Sequence, residues 1–175
     1  MSNHGRFGPG GGRASHGRPA RTQPSGPRTV RELWRDYLAG GYFDEEGNLK
    51  PEYVSREKME GLVKNMCLED GRPRRDGLTA HQVRRYFGHC RALETRLKSA
   101  TGTTWTSVVP EVKKLDIAAA DGFAKRPPKI PDLFHDFVRC NVAAIKSKED
   151  FLDGFLPHFE ALVGFGTAYF VKERN

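Results

Sequence analysis

The chain is poor in cysteine, has no long apolar run and carries no acid in its first thirty residues. Its three cysteines, Cys67, Cys90 and Cys140, are odd in number and widely spaced along 175 residues. That excludes a disulfide scaffold and a CxxC metal clip. No stretch is apolar and long enough to suggest a membrane span. The longest apolar stretch, Leu162 to Val171, is interrupted by Gly164, Gly166 and Thr167. The opening Met-Ser-Asn-His lacks the apolar segment of a secretory signal, so a cytoplasmic protein is expected. P-loop, GxSxG, HExxH and dinucleotide fingerprints are all missing. The glycines between Gly8 and Gly12 follow no strand and open no helix, so they do not cradle a phosphate.

What is present is positive charge, unevenly spread. There are 29 basic and 22 acidic residues, a formal net charge of +7. Arg6, Arg13, Arg18, Arg21 and Arg28 fall within the first 30 residues, which leaves 24 basic against 22 acidic groups in the remainder. The same 30 residues hold 7 of the 19 glycines and 4 of the 11 prolines, with Phe7 as their one aromatic. Such a segment buries too little apolar surface to offset its ordering entropy. Residues 1–28 are therefore expected to be a disordered Arg/Gly/Pro-rich tail, and residues 29–175 a helical bundle domain. Arginines spaced by small residues can touch phosphates without sequence preference; a solvated leader with no role fits the same composition.

From Thr29 onward the apolar spacing is helical. Thr29 caps a first segment with Leu33, Trp34, Tyr37 and Leu38, stopped by Gly40-Gly41. Pro51 suits the first turn of a second helix carrying Val54, Met59, Leu62, Val63 and Met66. Residues 69–77 read as a charged loop. Thr79 and Gln82 match a capping box, and Val83, Tyr86, Phe87, Cys90, Leu93 and Leu97 follow on one face. A fourth helix carries Trp105, Val108, Val109, Val112, Leu115, Ala119 and Phe123, with Pro110 marking its first turn. A fifth carries Leu133, Phe134, Phe137, Val138 and Ile145. Ser147 with Asp150 suggests another capping box before Phe151, Leu152, Phe155, Leu156, Phe159, Leu162 and Val163. The expected fold is all-α, a single bundle of five or six helices.

Candidate chemistry is sparse. His81 and His89 lie about 12 Å apart along a helix, too far to share a metal directly. The cysteines read as buried thiols, and His135 and His158 as surface or boundary residues. No metal or cofactor is expected. Tyr42-Phe43, Trp105 and the Phe165–Phe170 stretch exceed what a small core covers, which suggests a contact patch for another subunit.

Charge is more informative. Arg84, Arg91 and Lys98 recur every seven residues and drift only about 20° per step, forming a stripe about 21 Å long. A stripe of this length can track a single-stranded backbone. Arg85 and Arg96 point to the opposite side. Further basic clusters stand at Arg72-Arg74-Arg75, Lys113-Lys114 and Lys125-Arg126-Lys129. These residues alone leave three classes open: a nucleic-acid binder, a protein-only adaptor, and a metal- or thiol-dependent enzyme.

Several runs are familiar. Tyr42-Phe43-Asp44, Asn48-Leu49-Lys50-Pro51 and Tyr53-Val54 come first. Leu78-Thr79, Gln82-Val83-Arg84-Arg85-Tyr86-Phe87 and Val109-Pro110-Glu111-Val112-Lys113-Lys114-Leu115 follow. The series closes on Lys148-Glu149-Asp150-Phe151, Phe155 and His158-Phe159-Glu160-Ala161-Leu162-Val163. In this order, over about residues 31–170, the chain resembles the small α-helical subunit of type III-A CRISPR effector (Csm) complexes. The resemblance implies a non-catalytic subunit that stacks head to tail into a filament, beside the backbone subunits that hold the guide RNA. It implies that the filament lines the target-RNA channel in antiviral defence, with the large subunit among its neighbours. It implies phosphate contacts from Arg84, Arg85, Lys113, Lys114 and Lys125. Arg91, Lys98 and Arg126 join these as candidates from the stripe and the clusters. The alternatives are a free-standing helical RNA-binding protein, with most of its affinity in the tail, and a protein-only adaptor.

Overall fold

The computed structural model describes Met1, residues 26–99 and residues 102–172. The expected tail falls almost wholly outside these residues. The described chain is mostly helical. Six α-helices follow in order: α1 (Val30–Leu33), α2 (Arg56–Cys67), α3 (Ala80–Lys98), α4 (Trp105–Ala124), α5 (Asp132–Ala144) and α6 (Leu156–Gly166). A 3-10 turn, Pro51–Val54, precedes α2, and a π-helical turn, Asp150–Phe155, leads into α6. The only sheet among the described residues is an antiparallel hairpin of β1 (Leu68–Glu69) and β2 (Arg72–Pro73).

Local chemistry sets the helix starts. Thr79 accepts from the Gln82 N–H, and the Gln82 side chain accepts from the Thr79 N–H, the reciprocal pair that the sequence suggested. Asp150 donates its N–H to Ser147 Oγ at 3.0 Å, and its carboxylate accepts from the Ser147 and Lys146 N–H groups. Thr104 caps α4, so that helix begins at Trp105 and Pro110 sits inside it, not at its first turn. Two further corrections concern the N-terminal part. The first helix is a single turn, after which the chain runs through turns with Leu38 at φ 56°. Pro51 opens a separate 3-10 turn, and Ser55 starts α2 anew by accepting from Lys58.

The core lies where α6 meets α2, α3 and the 3-10 turn, with α5 closing it and α4 packed on α5. Phe134, Phe137, Phe155 and Phe159 are buried and contact one another at ring separations of 5.5–6.3 Å. Each such ring contributes roughly 1.5–3 kcal/mol through burial. The apolar faces read from sequence for α3 and α6 are buried, except for Phe87, Leu152 and Val163, which are half-buried. Tyr42 is buried as well, so it belongs to the core and not to an exposed patch.

A chain of polar groups crosses this core. Asn141 donates to Tyr37 Oη at 2.6 Å. Tyr37 is 2.7 Å from His158 Nε2, and His158 Nδ1 is 2.6 Å from the Tyr53 carbonyl. The carbonyl can only accept, so Nδ1 carries the proton and Nε2 accepts from Tyr37. Tyr42 donates to Asn141 Oδ1 at 2.8 Å. His158 is thus wholly buried, contrary to its reading as a boundary residue. No buried side-chain nitrogen or oxygen among the described residues lacks a partner.

The π turn has a local cause. Pro157 has no N–H for the Asp153 carbonyl and its ring crowds that group, so the ladder widens just ahead of it. Leu156 accordingly donates to Phe151, five residues back. Gly154 lies in this turn against the Tyr42 ring, where an added Cβ would sit 2.6 Å from Cγ. Gly154→Ala should therefore cost about 1–3 kcal/mol, read from urea denaturation; an unchanged midpoint would show that the ring can move aside.

Burial lowers the His158 pKa from 6.5 to about 4. The unfolded chain takes up the proton first, so this group's contribution is full above about pH 6.5 and is lost as pH falls toward 4. Full loss amounts to about 3 kcal/mol. His158→Asn should lower stability at neutral pH and flatten this part of the pH profile. Parallel profiles for the two proteins would refute the assignment.

Candidate nucleic-acid interface

The interior offers little reactive chemistry. Burial pushes the Cys67 and Cys90 thiols up to about 12, so neither is a thiolate near neutral pH. Burial also raises Cys140. Among the described residues no three His, Cys, Asp or Glu side chains come together to hold a metal ion. His89 Nε2 instead donates to the Glu111 carbonyl at 3.1 Å and helps join α3 to α4.

The surface is different. Arg84, Arg91 and Lys98 are exposed along α3, as their spacing predicts. Glu94, however, sits between the last two. Its carboxylate meets Arg91 at 2.7 Å and Lys98 at 2.7 Å. Arg91 also lies 5.9 Å from the centre of the Phe87 ring. The stripe is thus partly neutralised, and Arg84 alone of its three cations has no carboxylate partner among the described residues.

Arg85 faces α4. With Tyr86, His89, Lys114, Leu115 and Ala118 it lines an open groove of about 340 Å³. No carboxylate pairs with Arg85 among the described residues, whereas Lys114 is held by Glu111 at 2.8 Å. The groove therefore brings together two candidates that lie 29 positions apart in the chain, Arg85 and Lys114, and adds His89. The Arg85–His89 spacing, one helical turn, was the available signal for that addition.

The remaining candidates serve the fold. Lys113 donates to the Val142 carbonyl at 3.1 Å in the last turn of α5, where a cation also suits the helix dipole. Lys125 pairs with Asp121 at 2.7 Å. Arg126 donates to the carbonyls of Phe123, Ala124 and Lys125 and so satisfies the end of α4. The structure does not gather these three with Arg84 and Arg85.

The fold and its surface define a class: a small helical bundle that carries exposed cations on two adjacent helices, α3 and α4. The family model described as Csm2 Type III-A matches residues 57–172, from the first turn of α2 to the end of the described chain. The chain belongs to this family and is a small subunit of a type III-A CRISPR effector complex. No curated protein sequence and no solved structure matches it. The familiar runs between Tyr42 and Val54 lie outside the matched stretch. No helix among the described residues is long and apolar enough to cross a membrane.

The two kinds of cation are separable by stability. Lys113→Ala should cost about 1 kcal/mol by removing the bond to Val142, while Arg84→Ala should leave the denaturation midpoint unchanged. Equal effects would remove the distinction drawn between them.

Proposed function

We propose that this subunit is non-catalytic and contacts RNA backbone through the α3–α4 face, with Arg84 and Arg85 as principal contacts and Lys114 beside them. The observation that carries this reading is the exposed Arg84-Arg85 pair, with no carboxylate partner among the described residues, in a chain of the effector small-subunit family. Successive residues on a helix diverge by about 100°, so the two guanidinium groups serve different parts of one face. Phosphate contacts carry no base information, which suits a complex whose sequence choice comes from guide pairing. Arg91 and Lys98 extend the track once phosphate displaces their shared partner Glu94. Lys113 ties α4 to α5, whereas Lys125 and Arg126 make their contacts at the end of α4 itself. Within the complex the subunit stacks on further copies of itself, lines the target-RNA channel beside the guide-binding backbone and large subunits, and serves cytoplasmic antiviral defence.

The test is RNA affinity across a salt series. Arg84→Glu with Arg85→Glu should weaken binding of single-stranded RNA by about tenfold or more, with a shallower salt dependence and an unchanged melting temperature. Unchanged affinity in that double variant would reject the α3–α4 face. Removing residues 1–25 addresses the free-standing binder, because that cut spares Val30, whose N–H bonds Asp136 at 2.8 Å inside the core. Loss of most binding after the cut would favour the tail.

A further inference from the structure

A second basic surface lies at the N-terminal end of α3, built from three distant parts of the chain. It is an open groove of about 1000 Å³ between the segment following β2, the loop before α5 and the C-terminal segment after α6. Arg75, Lys129 and Lys172 line it, one from each part. All three are exposed, and none has a side-chain hydrogen bond or carboxylate partner among the described residues. Among the described residues the one carboxylate lining the groove, Asp76, is already engaged. Arg74, itself buried, takes both its oxygens at 3.1 Å.

The backbone holds these cations in place. Arg74 donates its N–H to the Cys67 carbonyl at 2.8 Å, which fixes the segment carrying Arg75. Lys129 donates its N–H to Gly122 at 2.9 Å and its carbonyl accepts from the Gln82 side chain. Val171 donates to the Leu78 carbonyl at 3.0 Å in a parallel bridge, which sets Lys172 beside the start of α3. Gly77 permits this approach, since an added Cβ would lie 2.9 Å from Val171. Half-buried Tyr169 and Phe170 supply aromatic surface on the same wall, with Lys64 5.1 Å from the Tyr169 ring centre and the Tyr169 hydroxyl donating to Glu60 at 3.2 Å.

We propose that this groove binds a segment of single-stranded nucleic acid, its phosphates on Arg75, Lys129 and Lys172 and its bases against Tyr169 and Phe170. Three unpaired cations beside aromatic rings match a strand that carries regular negative charge and flat faces. The chain's own residues 1–25 match the groove less well by charge, since they are basic without acid and like charges repel. An acidic protein segment would match the cations but has less use for the ring faces.

The experiment uses the full chain, a mixed-sequence single-stranded RNA and poly-glutamate as a competing polyanion. The variant Arg75→Gln, Lys129→Gln, Lys172→Gln alters exposed side chains only, and an unchanged melting curve verifies its fold. Its RNA affinity should fall about tenfold or more, and the slope of log affinity against log salt should shrink by about 2, as three lost phosphate contacts require. Photocrosslinking with thiouridine-substituted RNA should label the peptide containing Tyr169 and Phe170. Unchanged affinity and slope, or crosslinks confined to α3 and α4, would overturn the groove while leaving the α3–α4 reading intact. Loss in the triple variant without loss in the Arg84, Arg85 double variant would do the reverse. Poly-glutamate binding tighter than RNA would replace nucleic acid with an acidic protein segment.

Discussion

The bundle is organised around the buried polar chain that runs from Tyr42 through Asn141, Tyr37 and His158 to the Tyr53 carbonyl. Buried donors and acceptors must find partners, because each one left alone costs about 1–3 kcal/mol. Here every member finds one, and the directions are mutually fixed. The Tyr53 carbonyl sets the histidine tautomer, the histidine sets the Tyr37 hydroxyl, and that hydroxyl leaves its oxygen for Asn141. The segment between α1 and α2 has little regular structure of its own. It is held in the core because its three tyrosines reach groups on α5 and α6.

With the interior committed in this way, the protein's outward chemistry is electrostatic. The two most buried thiols are protonated, and the wholly buried His158 is neutral near pH 7. The exposed cations then divide by what they already hold. Lys113 and Arg126 satisfy helix carbonyls, Lys125 meets Asp121, and Arg91 and Lys98 share Glu94. Arg84 and Arg85 hold nothing among the described residues. A sum of charges along the sequence misses this difference, because it counts a cation that caps a helix the same as one that faces solvent.

Much of the helical fold was legible because its signals are local. The Thr79–Gln82 and Ser147–Asp150 boxes and the apolar faces of α3 and α6 depend on residues within a few turns of each other. The errors have non-local causes. His158 looks like a boundary residue and Tyr42 like part of a contact patch until Asn141 and Tyr37 come from elsewhere to meet them. Pro110 looks like a helix start, but Thr104 caps a turn earlier and the helix absorbs the proline. The hairpin at 68–73 is too short to show alternation. On the surface, heptad spacing correctly exposed Arg84, Arg91 and Lys98, yet gave no warning that Arg85 faces α4 across a groove shared with Lys114.

The polar chain also bears on the order in which the molecule can form during synthesis. Tyr37 precedes His158 by 121 residues, Asn141 by 104, and Tyr42 precedes Asn141 by 99. Contacts that close such long loops come late in folding. A nascent chain emerging from the ribosome presents the tyrosines first and must keep them without their partners until α5 and then α6 are complete. The amino-terminal third of the bundle is therefore made first and locked last. Any chain that terminates before His158 leaves that third with its aromatic surface uncovered, a natural mark for proteases or chaperones.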